Sequence, residues 1–140
     1  MPRVVGISFR RVGKVYYFDP GDLSPREGDF VIAETSRGLE FGEVMIEARE
    51  VPDEELVAPL KRIVRLATGD DLEREATNRE SEKQGLDLCQ KKIAEQNLPM
   101  KLIDAERSFD GAQITFYFSA ENRVDFRELV RDLAAEFKMR

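Results

Sequence analysis

The chain has 140 residues, 41% of them hydrophobic and 36% charged, with a net charge of −6. That length removes roughly two thirds of the unfolded chain's surface from water without metal or disulfide staples, and it holds one domain or two very small ones. With no His, one Cys and no Trp, the chain cannot supply a Ser-His-Asp or Cys-His centre, an H-E-x-x-H zinc helix or a Cys/His zinc site.

Cys89 is single and cannot form an internal bridge, and Met1-Pro2-Arg3-Val4 lacks the basic-then-apolar pattern of a secretion signal, so a cytoplasmic location is expected. Uninterrupted apolar stretches such as 30–33 are far shorter than the ~20 residues that cross a bilayer, and no membrane-spanning segment is expected. The acidic balance argues against indiscriminate phosphate binding. Of the 22 basic residues, however, 15 are Arg, which leaves room for a local Arg patch.

Residues 3–9, 14–19, 29–36 and 39–48 are rich in Val, Ile, Phe and Tyr and are punctuated by Gly and Pro, which predicts four strands. Four short strands within residues 1–50 predict a small β-barrel-like domain, with a tight turn at Arg37-Gly38 and a bulge at Gly42. The charged, Pro-bearing segment 50–55 closes it, and a second domain is expected over 59–140. A strand over 60–67 opens that domain.

A helix follows over about 70–97, capped by Asp70 with Glu73 and stopped by Leu98-Pro99. Leu72, Ala76, Leu86, Cys89, Ile93 and Ala94 mark its apolar stripe. The stretch 77–85 has no large apolar residue, which predicts a middle open to water or a break at Gly85.

Asp110-Gly111 is a preferred hairpin turn. Folding about it sets Ala105 opposite Phe116, Ile103 opposite Phe118 and Arg107 opposite Ile114 on one face, with Asp104–Tyr117 and Glu106–Thr115 on the other. A last helix places Phe126, Leu129, Val130, Leu133, Ala134 and Phe137 on one face, with Asp125 and Glu128 as capping box.

The class is therefore α+β: a small N-terminal β-barrel-like domain, then an incomplete ferredoxin-like (β-α-β-β-α) half that lacks its last strand. The absent sixth strand would pair with the first, so 60–67 is expected to be an unprotected edge. Either the natural chain continues beyond Arg140 or the edge pairs with a second copy as a homodimer.

Three groups of residues invite a site. Arg10, Arg11, Lys14, Tyr16 and Tyr17 form a basic-aromatic hairpin able to track phosphates and stack bases; a solvated turn with rings alternating into the core is the plainer account. Glu73, Arg74, Arg79, Glu80 and Lys83 form a charged helix face suited to docking a helical partner. Arg123 and Arg127 flank Asp125 and suit an acidic partner, though a salt-bridged surface is the plainer account. Asp19 with Asp22 and Asp70 with Asp71 suggest magnesium or general-base chemistry, but turn and cap roles explain them more cheaply, and no catalytic or metal residue is assigned.

Several stretches together resemble the PSP C-terminal conserved-region family, whose bacterial members include the YaaT (RicT) proteins. They are Lys14-Val-Tyr-Tyr-Phe-Asp-Pro-Gly-Asp22, Glu34-Thr-Ser-Arg-Gly-Leu-Glu-Phe-Gly-Glu-Val44, and the run 89–111 with Leu98-Pro-Met-Lys-Leu102 and Phe109-Asp-Gly111. The last is Phe116-Tyr-Phe-Ser-Ala-Glu-Asn-Arg-Val-Asp-Phe-Arg-Glu-Leu-Val130. The resemblance covers nearly the whole chain.

It implies a non-catalytic adaptor that assembles with YlbF-like and YmcA-like helical proteins. That assembly modulates ribonuclease Y-dependent mRNA processing and, through it, sporulation, competence and biofilm development. Eukaryotic relatives, a suppressor of DNA polymerase defects and kinetoplastid RNA-binding proteins, keep direct RNA or DNA binding as the alternative. Full-length members continue into a cysteine-rich tail associated with iron–sulfur clusters. The chain ends before that tail, and neither a cluster nor a flavin is assigned to it.

Overall fold

The computed structural model describes residues 2–9, 14–56 and 59–138. Two compact units divide between Glu73 and Arg74. The fold is α+β, with seven strands in two antiparallel sheets and two α-helices among the described residues.

The first unit contains β1 (Arg3–Ser8), β2 (Val15–Phe18), β3 (Phe30–Thr35), β4 (Gly38–Glu50), a 3₁₀ turn (Asp53–Glu55) and β5 (Ile63–Leu66). The strands form one sheet in the order β2-β1-β4-β3-β5. β4 is long enough to serve two neighbours: its start pairs with β3 from Gly38 to Glu43, and the rest pairs with β1 from Glu43 to Glu50. Val5, Ile7, Phe18, Val31, Ala33, Val44 and Ile63 fill the concave side. These are mostly β-branched residues that pack well on a pleated surface.

The sheet curls until its two outer strands nearly meet. Asp19 N–H donates to Lys61 O at 2.9 Å and Ile63 N–H donates to Asp19 O at 3.0 Å, forming one bridge between Asp19 and Arg62. The unit is thus barrel-like without being a closed barrel. Two glycines permit the tight curl. A Cβ on Gly6 would stand 2.6 Å from Val15 Cγ1, and one on Gly42 would stand 2.5 Å from Ile7 Cγ2. Gly42 therefore makes room for a packed side chain; the irregular register lies further along β4, where 44–49 carries two more residues than the Val4–Ile7 stretch of β1 that it faces.

β5 departs from the expected pairing. It adds to the free side of β3, with Val31 opposite Leu66 and Ala33 opposite Ile63, and does not join the later strands. The reason lies in its side chains: Ile63 completes the first unit's core, whereas Val64 and Leu66 remain exposed. The order β-α-β-β-α survives along the chain, but its first strand belongs to the other sheet.

α1 (Gly69–Glu95) runs 27 residues without a break at Gly85. Its cap stands two residues earlier than expected. Thr68 Oγ1 accepts from Asp71 N–H at 3.2 Å, and Asp71 Oδ2 accepts from Thr68 N–H at 2.8 Å. This is the reciprocal capping box, made by Thr68 and Asp71 instead of Asp70 and Glu73.

Asp71 is buried and is also gripped by the Arg65 guanidinium. The Arg65 hydrogen bonds, helped by those from Thr68, outweigh burial and hold its carboxyl at about 2, below the ordinary 3.8. A folded value below the unfolded one means that the ionised carboxylate stabilises the fold above pH 4, and that this contribution is lost as pH falls from 4 through 2. Asp71→Ala is expected to lose about 1–2 kcal/mol at pH 7, as cap deletions do. Urea melts of both proteins should show the gap narrowing below pH 4.

The second unit adds β6 (Lys101–Arg107), β7 (Ile114–Ser119) and α2 (Arg127–Phe137) to the greater part of α1. The hairpin register is the expected one at four positions: Ala105–Phe116, Arg107–Ile114, Asp104–Tyr117 and Glu106–Thr115. The turn is wider than two residues. Ser108 N–H donates to Gln113 O at 2.8 Å and Gly111 N–H to Ser108 O at 2.9 Å, with Gly111 at φ +75°.

Ile103 is where the register corrects. A bulge puts Leu102, not Ile103, opposite Phe118, and turns Ile103 outward at 61% exposure. Cys89, Ile93, Leu129 and Leu133 form the core of the unit, with Leu102, Phe116 and Phe137 packed against it. α2 buries only half of its expected apolar face. Leu129 and Leu133 are inside, Phe126 and Val130 are exposed, and Phe126 at the N-cap makes no side-chain cap bond.

Candidate functional site

α1 has two polar faces with different roles. Asn78, Glu82, Gly85, Cys89 and Ile93 follow one another at helical spacing and all are buried. Asn78 Nδ2 donates to Ser108 O at 3.3 Å and to Phe109 O at 3.2 Å, and Glu82 Oε2 accepts from Arg107 N–H at 2.6 Å. At Gly85 a Cβ would lie 3.2 Å from Ile114 Cδ1, so the helix backbone rests directly on the hairpin.

The middle of α1 therefore faces water on one side only, and not all round as its composition suggested. Polar side chains there continue the buried stripe and satisfy hairpin backbone groups. The signal was present in the spacing, because Asn78, Glu82 and Gly85 extend the line of Cys89 and Ile93 backward. A search for apolar residues passes over it.

The opposite face carries Glu73, Glu80 and Lys83 of the charges singled out in the sequence, whereas Arg74 stands one turn before Asn78 on the hairpin side. Glu73, Arg74, Glu80 and Lys83 are exposed, and Arg79 is half-buried. Two of these are engaged locally. Arg79 Nε donates to Glu75 Oε1 at 2.7 Å, and the Arg74 guanidinium lies 5.6 Å from the centroid of the Phe109 ring. Glu80 and Lys83 stand on a stretch of helix whose other side is fixed by the buried seam, so their positions are set by a rigid element rather than a loop.

Arg123 is exposed, and Arg127 pairs with Asp125, Nη2 to Oδ2, at 2.8 Å. That guanidinium holds the Asp125 carboxyl at about 2. Arg127 lines an open depression of about 450 Å³ with Gln96, Leu98, Asp125, Glu128 and Arg131. This lies beyond the C-terminal end of α1 and not along its charged face.

In the first unit, Arg10 and Arg11 lie outside the described residues. Lys14 and Tyr16 are exposed, with Tyr16 6.3 Å from Phe9 between ring centroids. Tyr17 is occupied: its hydroxyl accepts from Arg49 Nη2 at 2.7 Å, and the same guanidinium stands 5.9 Å from its ring centroid. Arg49 was not among the sequence candidates, since nothing local links residues 32 positions apart.

One member of each carboxylate pair has a structural role. Asp19 Oδ1 accepts from Gly21 N–H at 2.8 Å in an Asx turn, and Asp71 is the cap described above. Among the described residues no group of three or more His, Cys, Asp or Glu side chains is placed to hold a metal. An iron–sulfur cluster does not fit the residues of this chain, because Cys89 is its one cysteine and is buried in the apolar core, which pushes the thiol pKa up. No described helix is long and apolar enough to cross a membrane.

Residues 61–140 match the family described as the PSP1 C-terminal conserved region. Over all 140 residues the chain is 44% identical to the Stage 0 sporulation protein YaaT of Bacillus subtilis, of which it covers 51%. It is 30% identical to an uncharacterised protein of Schizosaccharomyces pombe, over 90% of this chain and 21% of that one. It is 28% identical to Protein PSP1 of Saccharomyces cerevisiae, over 61% and 13% of the two chains. The chain thus spans about half, or less, of the curated relatives it matches. No solved structure matches it. None of these names is that of an enzyme. With more than half of its length matched to that conserved region and all 140 of its residues aligned to a YaaT protein at 44% identity, the chain belongs to the PSP1 C-terminal conserved-region family.

Proposed function

We propose that the protein is a non-catalytic, YaaT-type regulatory adaptor of the cytoplasm. In this reading it assembles with YlbF-like and YmcA-like helical proteins and modulates ribonuclease Y-dependent mRNA processing and the development that depends on it. The observation that supports the reading best is the construction of α1. A continuous helix is pinned along one side by Asn78, Glu82 and Gly85, and presents Glu73, Glu80 and Lys83 on the other. A fixed helix with exposed charges of both signs suits a helical partner with complementary charges, which sets register and partner choice more than bulk affinity.

The direct test is co-purification. The protein is expected to retain YlbF-like and YmcA-like proteins through affinity purification and gel filtration. Failure to retain either contradicts the reading.

One observation favours a second reading, direct binding of RNA: Tyr16 is exposed beside Lys14 at the start of β2. An exposed ring next to a cation can stack a base while the cation meets a phosphate. If this operates, labelled RNA should bind with an affinity that falls steeply with salt, and Tyr16→Ala together with Lys14→Glu should abolish it. Binding that ignores salt, or none at all, removes this reading.

A further inference from the structure

The hairpin of the second unit has two outer edges, and they are treated differently. Ser108 N–H donates to Gln113 O, which makes 108 and 113 a hydrogen-bonded pair. By antiparallel alternation Glu106–Thr115 and Asp104–Tyr117 are the next such pairs. Ala105 and Arg107 of β6 therefore turn their backbone N–H groups away from β7, and Ile114, Phe116 and Phe118 of β7 turn theirs away from β6.

On β6 both outward donors are already satisfied. Ala105 N–H donates to Asp104 Oδ1 at 2.8 Å, and Arg107 N–H donates to Glu82 Oε2 at 2.6 Å. The bulge at Ile103 and the charges Lys101, Asp104, Glu106 and Arg107 further blunt that edge, as protected edges are blunted.

β7 has none of these devices. It pairs with β6 alone among the described residues, and Ile114–Ser119 contains no charge, proline, glycine or bulge. Beside it lies unfinished apolar surface. Phe118 stacks edge-on against Phe126 at 5.5 Å between centroids, both remain about 40% exposed, and Val130, one turn along from Phe126, is 54% exposed.

We propose that the free edge of β7 pairs with β7 of a second copy of this chain. The strand is complementary to itself. Two copies run antiparallel about a two-fold axis at Phe116 place Phe116 opposite Phe116 and Ile114 opposite Phe118. All three outward residues of each strand then become hydrogen-bonded pairs, with no charge set against a like charge. The same axis sets the Phe118 end of each strand, with Phe126 packed on it, against the Ile114 end of the other, so the contact is isologous. The product is a four-stranded sheet β6-β7-β7-β6. The edge at 60–67 remains an outer strand of the first sheet, and 114–119 is a second edge.

Sedimentation equilibrium and amide hydrogen exchange on the 140-residue chain test this. The expected mass is twice the 16.1 kDa of one chain. The amides of Ile114, Phe116 and Phe118 are expected to exchange as slowly as those of Thr115 and Tyr117. Phe118→Pro removes an outward donor, which edge strands tolerate. It should halve the mass and speed exchange at Ile114 and Phe116, with Thr115 still protected. A wild-type mass of one chain overturns the proposal, whether or not those amides are protected. So does a dimer in which they exchange freely, or one that Phe118→Pro leaves intact while Thr115 stays protected.

Discussion

Gly42→Val is expected to destabilise the first unit by about 3 kcal/mol or more, at the upper end of what overpacking costs. The added Cβ alone would stand 2.5 Å from Ile7 Cγ2 and 3.0 Å from Phe9 Cε1, and Ile7 is fully buried. Neither neighbour can retreat without disturbing the core, since Ile7 shares it with Val5, Val31 and Val44. Against a typical total of about 5–15 kcal/mol, such a loss is a large fraction. Gly38→Ala is the contrasting control: a Cβ there meets nothing within 4 Å, and its cost arises from the positive φ of +102° alone. Urea denaturation of the two variants beside the wild type should rank Gly42→Val far below Gly38→Ala. Equal losses would show that β1 does not close onto β4 as described.

Glu82→Ala has the second large effect, expected at about 2–3 kcal/mol, the range for deleting a charged partner of a buried group. The Arg107 N–H lies on the β6 edge under α1, and Glu82 Oε2 accepts from it at 2.6 Å. Truncation leaves that donor unsatisfied where water is largely excluded. Glu82→Gln keeps an acceptor oxygen at the same reach and should recover more than half of the loss. Thermal melts and exchange at Arg107 check both. An Ala variant as stable as the wild type would mean that the seam is not closed.

Those two residues also show what the sequence made legible and what it hid. The hairpin register at Ala105–Phe116 and Arg107–Ile114 followed from period-two alternation about a turn. The extent of α1 followed from its flanking residues, and the burial of Leu129 and Leu133 from helical spacing. The partner of β5 was hidden because strand pairing is a competition across the whole chain, and Ile63 was won by the first unit's core. The seam was hidden because Asn78 and Glu82 are buried by hydrogen bonding and not by apolarity. The bulge at Ile103 leaves no local mark of Gly or Pro. Of the candidate surfaces, the charged run 73–83 was visible in composition, whereas the grip of Arg49 on Tyr17 existed only once β4 and β2 were in place.

If the outward face of α1 is the docking surface, charge there must matter to partners and not to folding. The measurement is the Kd of the protein for the YlbF-like and YmcA-like pair, wild type against Glu80→Lys with Lys83→Glu, each first shown to melt at the same temperature. The account predicts at least about tenfold weaker binding, equal to 1.4 kcal/mol, for the doubly reversed variant. It also predicts recovery when complementary charges are reversed on the partner. Unchanged affinity in a variant that melts like the wild type would contradict it.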